Sequence, residues 1–145
     1  MELVNFSLSI LLAAIAGLFI GTEREFRGKS AGLKTNALVA LGACVFVLLS
    51  LQFEGDEFVD TTRVIGQVVT GIGFIGAGTI LQHGANVKGL TTAATIWCSA
   101  AAGGLAALQM YMELLVVCLT IVIINLAFSF LQRKFIKSGK NKEGE

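Results

Sequence analysis

Five stretches of this chain contain no Asp, Glu, Lys or Arg: residues 3–22, 35–53, 64–87, 89–112 and 114–132. They are 20, 19, 24, 24 and 19 residues long and hold 106 of the 145 residues. A helix rises about 1.5 Å per residue and a bilayer's hydrocarbon core is about 30 Å thick, so roughly 20 apolar residues make one crossing. Only 14% of the residues are charged, against about 25% in soluble domains. A soluble enzyme, a secreted disulfide scaffold and a disordered tail are all excluded. Backbone polar groups must be satisfied inside lipid, which leaves helices or a closed barrel, and the ~10-residue alternating segments of a barrel are absent. The expected fold is an all-α integral membrane protein of about five transmembrane helices. A re-entrant pair formed by the third and fourth stretches would keep the same parity.

The charges fall between the stretches in a lopsided way. Arg24, Arg27, Lys29 and Lys34 lie in the first loop, Lys88 in the third, and Arg133, Lys134, Lys137, Lys140 and Lys142 in the tail. Arg63 alone falls on the other side, together with Glu2, Glu54, Asp56, Glu57, Asp60 and Glu113. The positive-inside rule puts the first and third loops and the tail in the cytoplasm and the N-terminus outside. This divides the chain into a transmembrane domain, residues 1–132, and a basic cytoplasmic tail, residues 133–145. Ala14-Ile15-Ala16 looks like a cleavage site, but no basic segment precedes it and Arg24, Arg27 and Lys29 follow at once, which disfavours a signal peptide.

Glycine is the next constraint. On a helix Gly66, Thr70, Gly73 and Ala77 fall at i, i+4, i+7 and i+11, with Gly76 and Gly78 close by. In lipid such a small-residue stripe lets a second backbone approach. Ala93, Ala100 and Gly104 repeat the spacing in the fourth stretch, so the third and fourth helices are expected to cross closely, within the chain or between subunits. Gly71-x-Gly73-x-x-Gly76 matches a dinucleotide fingerprint in letters only, because the preceding strand and the acidic residue about 20 positions on are missing. Cys44, Cys98 and Cys118 sit in three different stretches without paired spacing, as small packing residues rather than a zinc or disulfide framework.

Polar groups at membrane depth carry most of any functional signal. Glu23-Arg24-Glu25-Phe26-Arg27 follows the first helix, and Glu23 and Arg27 at i, i+4 can pair. Thr91 or Thr92 is expected to cap the fourth helix, with Thr91 and Thr95 on one face. His83 is placed in the short loop before it. Asn36, Gln67, Gln109 and Asn125 are the other polar side chains near membrane depth. The acidic run from Glu54 to Asp60 offers hard oxygens to a divalent cation, but its spacing fits no defined cage. No catalytic set, metal ligand set or cofactor motif is visible, so neither an enzyme nor a cofactor is expected.

Two runs carry a resemblance. Residues 71–99, GIGFIGAGTILQHGANVKGLTTAATIWCS, and residues 21–43, GTEREFRGKSAGLKTNALVALGA, closely resemble the membrane domain of the MgtC/SapB family. The likeness covers roughly residues 10–104. It implies a five-helix domain in the bacterial inner membrane, a role in adaptation to magnesium limitation and, in pathogens, virulence inside macrophages. It further implies a regulator of ion and membrane-potential homeostasis that restrains the F-type ATP synthase. By matched position it singles out Glu23, Arg24, Glu25, Asn86 and Cys98. Typical members continue into a soluble domain, whereas this sequence stops at Glu145, as a minimal or truncated form would.

A non-enzymatic regulator is therefore expected, acting through helix faces and a charged cytoplasmic edge formed by Glu23, Arg24, Glu25, Arg27, Asn86, Thr91, Thr92, Thr95 and Cys98. The alternative is an oligomeric channel or transporter for Mg²⁺ or another ion, its path lined by Gln67, Thr70, Thr91 and Thr95. The expected partners are the lipid bilayer, further copies of the chain and a membrane complex such as ATP synthase; nucleic acid is not one.

Overall fold

The computed structural model describes residues 2–55 and 60–140, with side chains through Phe128. Asp56 and Glu57 of the acidic run lie outside the described residues, as do Lys142 and the side chains of Arg133, Lys134, Lys137 and Lys140. Five helices follow in order: α1 (Leu3–Phe26), α2 (Leu33–Leu51), α3 (Thr62–Ala77), α4 (Leu90–Ala107) and α5 (Tyr111–Lys140), with a two-stranded hairpin between α3 and α4. The chain is thus an all-α membrane protein, and α1, α2, α4 and the first 18 residues of α5 are long and apolar enough to cross a bilayer.

The third stretch is not helical throughout. Its helix stops at Ala77 after 16 residues, about 24 Å, and the remainder turns back as β1 (Leu81–His83) against β2 (Asn86–Lys88), with His83 opposite Asn86. His83 is therefore a strand residue, not a loop residue. The two-residue link Gly84-Ala85 explains the turn, because Gly84 takes φ +60° as the first central residue of a hairpin turn. Gly89 closes the hairpin at φ +93° and lies against the backbone of Thr79.

The core is made by α1, α2 and α4. Ala13, Ala16 and Ile20 meet Ala40, Cys44, Val47 and Leu48, and Ala102, Ala106 and Ala107 close the third side. Most of these side chains are small, which is what lets helices approach where lipid removes the usual hydrophobic drive. Gly17 sits on the backbone of Asn36 and Ala37, and a Cβ on Gly21 would stand 2.7 Å from the Gly32 carbonyl oxygen. Gly103 sits on the backbone of Ala40. These contacts run α1 antiparallel to α2 and α2 parallel to α4. Gly76, near the end of α3, lies against Ala93, near the start of α4. On α5, Leu114 and Cys118 join the core cluster.

Within one chain the small-residue stripe of α3 does little of the packing, which leaves it open to a second copy. Gly66 and Gly73 face open space, and Thr70, Ala77 and Gly78 are exposed. Only Gly76 is buried on this helix, at the single point where α3 touches Ala93 of α4. The stripe therefore faces outward, and the close crossings belong to Gly17, Gly21 and Gly103. Cys44 and Cys118 are buried and Cys98 half-buried, all with free thiols.

Asp60 organises the start of α3. Its carboxylate accepts the Thr62 hydroxyl at 2.6 Å and the Thr62 amide at 3.0 Å. These bonds, the hydroxyl's foremost, hold its pKa below the ordinary 3.8, since they favour the charged form. A depressed carboxyl pKa stabilises the fold above the unfolded value and loses that contribution as pH falls through the folded one. An NMR titration of the Thr62 amide should therefore show a midpoint below 3.8 that disappears in Asp60→Asn. A midpoint at or above 3.8 would refute these two bonds.

A candidate interaction site at one end of the bundle

The helix directions bring the α1–α2 connection and the hairpin to one end. There α1 continues past its apolar stretch, and Glu23 and Arg24 fall on its inward face, 7% and 4% exposed. A charge at the bilayer centre costs about 2.5–3.5 kcal/mol; these two sit within the last turn of α1, where partners from other elements are in reach. Arg27 donates from Nε to Glu23 Oε1 at 3.0 Å, the i, i+4 pair expected from the sequence. Arg24 donates from Nη2 to Thr92 Oγ1 at 2.6 Å and to the Ser30 carbonyl at 3.3 Å. One guanidinium therefore fastens α1 to α4 and to the loop between α1 and α2. Glu23 Oε2 and Arg24 Nε are buried with no hydrogen-bond partner.

Glu25 has a different task. Its Oε2 accepts the Leu33 amide at 3.2 Å, placing a carboxylate at the N-terminus of α2, where the free N–H groups and the helix dipole favour an anion. The three charged residues in a row thus act in three directions, because successive helix positions lie about 100° apart.

Deeper in the bundle Asn36, fully buried, forms a second fastening. Its Nδ2 donates to the Ala31 and Gly32 carbonyls at 2.5 and 3.0 Å, and its Oδ1 accepts the Ser99 hydroxyl at 2.7 Å. Ser99 also reaches the Thr95 carbonyl at 3.0 Å. Buried polar groups left unpaired are costly, so this bond set fixes how the turn after α1 meets α4. Sequence reasoning marks Asn36 only as a polar residue at depth and misses Ser99. A signal for it exists: Thr92, Thr95 and Ser99 follow at i, i+3 and i+7, one polar face on an otherwise apolar helix.

Other expected site residues fall elsewhere. α4 begins at Leu90 with Gly89 as its N-cap and no side-chain cap, so neither Thr91 nor Thr92 caps it. Thr92 is turned inward to accept Arg24, while Thr91 is exposed. Thr95 donates to the Thr91 carbonyl at 2.8 Å, a bond within its own helix. Asn86 is exposed on β2, and Cys98 lies half-buried farther along α4 than the Arg24–Thr92 bond. Arg24 is joined to Thr92 and Asn36 to Ser99 in two separate fastenings, with Glu23 paired to Arg27; Asn86, Thr91 and Cys98 stand outside these bonds. Gln67 and Thr70 are exposed on α3. Among the described residues no group of three or more His, Cys, Asp or Glu could hold a metal ion.

Comparison with known proteins completes the description. The family model described as "MgtC family" matches residues 10–134. A protein named MgtC from Salmonella typhimurium is 41% identical over all 145 residues, which cover 62% of that relative. Its namesake from Salmonella typhi is 44% identical over 126 residues, 87% of this chain and 53% of the relative. The one from Brucella abortus is 48% identical over 118 residues, 78% of this chain and 49% of the relative. The chain therefore spans between about half and 62% of these relatives' length. No solved structure matches it significantly.

Proposed function

This chain belongs to the MgtC family, and from that premise we propose that it is a non-enzymatic regulator in the bacterial inner membrane, serving adaptation to magnesium limitation by acting on a larger membrane complex such as ATP synthase. In this reading the N-terminus lies outside and the basic loops and tail face the cytoplasm. A part in virulence follows the same family resemblance. The observation that supports regulation most is the fate of the buried polar groups. Arg24, Thr92, Asn36 and Ser99 are engaged in bonds between elements, within a core that small side chains close from three sides. That arrangement builds a rigid end with a charged rim, suited to docking.

The test uses liposomes containing the full chain. Mg²⁺ and proton flux are measured for the wild type and for Glu23→Ala and Asn86→Ala. Regulation predicts no flux above empty liposomes, together with co-purification of ATP synthase subunits from membranes. Flux that either change abolishes would overturn it.

One observation favours a second reading, an ion path between copies. Gln67 and Thr70 are exposed on the same helix as the open glycines Gly66 and Gly73, so homo-oligomers would meet through α3. Gly73→Leu should then abolish the oligomer and leave the monomer folded.

A further inference from the structure

α3 packs along α4, with Gly76 its one buried residue, and leaves a cleft against α2. It has a volume of about 590 Å³. Leu38, Gly42 and Phe46 of α2 face Val68, Gly71 and Ile75 of α3 across it. On α2 its lining runs from residue 35 to residue 46 and on α3 from 64 to 75. Eleven helical rises make about 16 Å, half of a hydrocarbon core about 30 Å thick. The cleft is therefore as deep as one leaflet. An acyl chain entering from one surface occupies this depth.

The charges at its mouth specify the head group. Lys34 precedes Thr35, the first lining residue of α2, and is exposed. Lys88 is exposed on β2 and precedes Gly89, which packs on Thr79 just beyond the end of α3. The one ion pair among the described side chains is Arg27 with Glu23, so neither lysine has an acidic partner there. Two exposed lysines without an acidic partner thus stand at the end of the bundle where the α2 lining begins, above a mostly apolar cleft whose polar lining residues are Thr35 and Gln67. Basic pockets between transmembrane helices bind anionic lipid head groups in this way.

We propose that the α2–α3 cleft is a binding site for an anionic diacyl phospholipid, with one acyl chain between the helices and the phosphate held by Lys34 and Lys88. The site does not depend on the regulatory reading above. Occupancy would complete the packing of α3, which buries only Gly76.

The full chain in detergent, titrated with phosphatidylglycerol or phosphatidylcholine and read by native mass spectrometry, tests the assignment. The wild type should prefer phosphatidylglycerol. Lys34→Gln and Lys88→Gln should each lower that preference about fivefold, from about 1 kcal/mol per basic residue near the surface. Lys29→Gln, a change at the same end but away from the cleft lining, should leave it unaltered. Gly71→Phe should reduce binding of both lipids, and because a Cβ there meets nothing within 4 Å, the variant should still fold. Equal binding of the two lipids by the wild type would overturn the proposal. So would an equal effect of all three lysine changes, or full binding by Gly71→Phe. Loss of a dimer rather than of lipid in Gly71→Phe would assign the cleft to a second copy instead.

Discussion

Gly103→Leu is expected to abolish the folded bundle, the largest effect of any single change considered. A Cβ at Gly103 would stand 2.7 Å from the Ala40 carbonyl carbon and 3.0 Å from its Cα. Those atoms are main chain, so no rotamer change can relieve the overlap. Overpacking a close-packed core costs about 1–3 kcal/mol, occasionally more. Here two helices must separate, and they also share the Asn36–Ser99 bond, so a loss of about 3 kcal/mol or more is expected. In a family of variants purified in the same detergent, Gly103→Leu should give little or no monodisperse protein. Gly73→Leu, in open space, should change monomer stability by less than about 0.5 kcal/mol. If Gly103→Leu melted at the wild-type temperature, α2 and α4 would not meet at Ala40.

The second large effect concerns Arg24. Arg24→Ala is expected to cost about 1.5–3 kcal/mol, the range for hydrogen bonds to charged groups. It leaves Thr92 and the Ser30 carbonyl without their donor and releases α1 from α4 at the charged rim. Thr92→Val should also destabilise, because it leaves the buried guanidinium short of an acceptor. Both residues serve one bond, so the double variant should lose less than the sum of the two. A double-mutant cycle should give a coupling within the range of about 0.5–3 kcal/mol seen for residues in direct contact. Arg24→Lys should rescue only in part, since one ammonium cannot reproduce the planar guanidinium that reaches both Thr92 and Ser30. Additive losses in the cycle would show that the Arg24–Thr92 bond contributes nothing to stability.

Much of the architecture is legible along the chain. Charge-free lengths give the apolar helices, and the i, i+4 spacing of Glu23 and Arg27 gives their ion pair. The break of the third stretch is hidden, because hydropathy counts the hairpin residues as part of an apolar run. Gly84-Ala85, set between the polar residues His83 and Asn86, is the local cue to it. The glycine stripe is incomplete for a related reason: a small-residue face shows that close approach is possible, not whether it meets its own chain or a second copy. Ser9, Ala13, Gly17 and Gly21 on α1 and Thr95, Ser99, Gly103 and Ala107 on α4 form small-residue rows of the same kind, and these are the buried ones. Thr92 has the residue type of a cap, yet its hydroxyl faces Arg24, because Gly89 at φ +93° already starts the helix.

Life in a membrane as a bundle of apolar helices follows from the sequence alone, because the cost of placing charge in lipid is set by composition along the chain. The basic end follows in the same way. Three things were settled in three dimensions instead: which polar residues meet, that α3 is a helix of only 16 residues, and that a cleft about 16 Å long remains beside it. The polar meetings depend on the rotation and spacing of helices that place residues 63 and 68 positions apart in contact. Backbone contacts at Gly17, Gly21 and Gly103 fix both, and the small-residue rows that hold these glycines do not say which helix they meet.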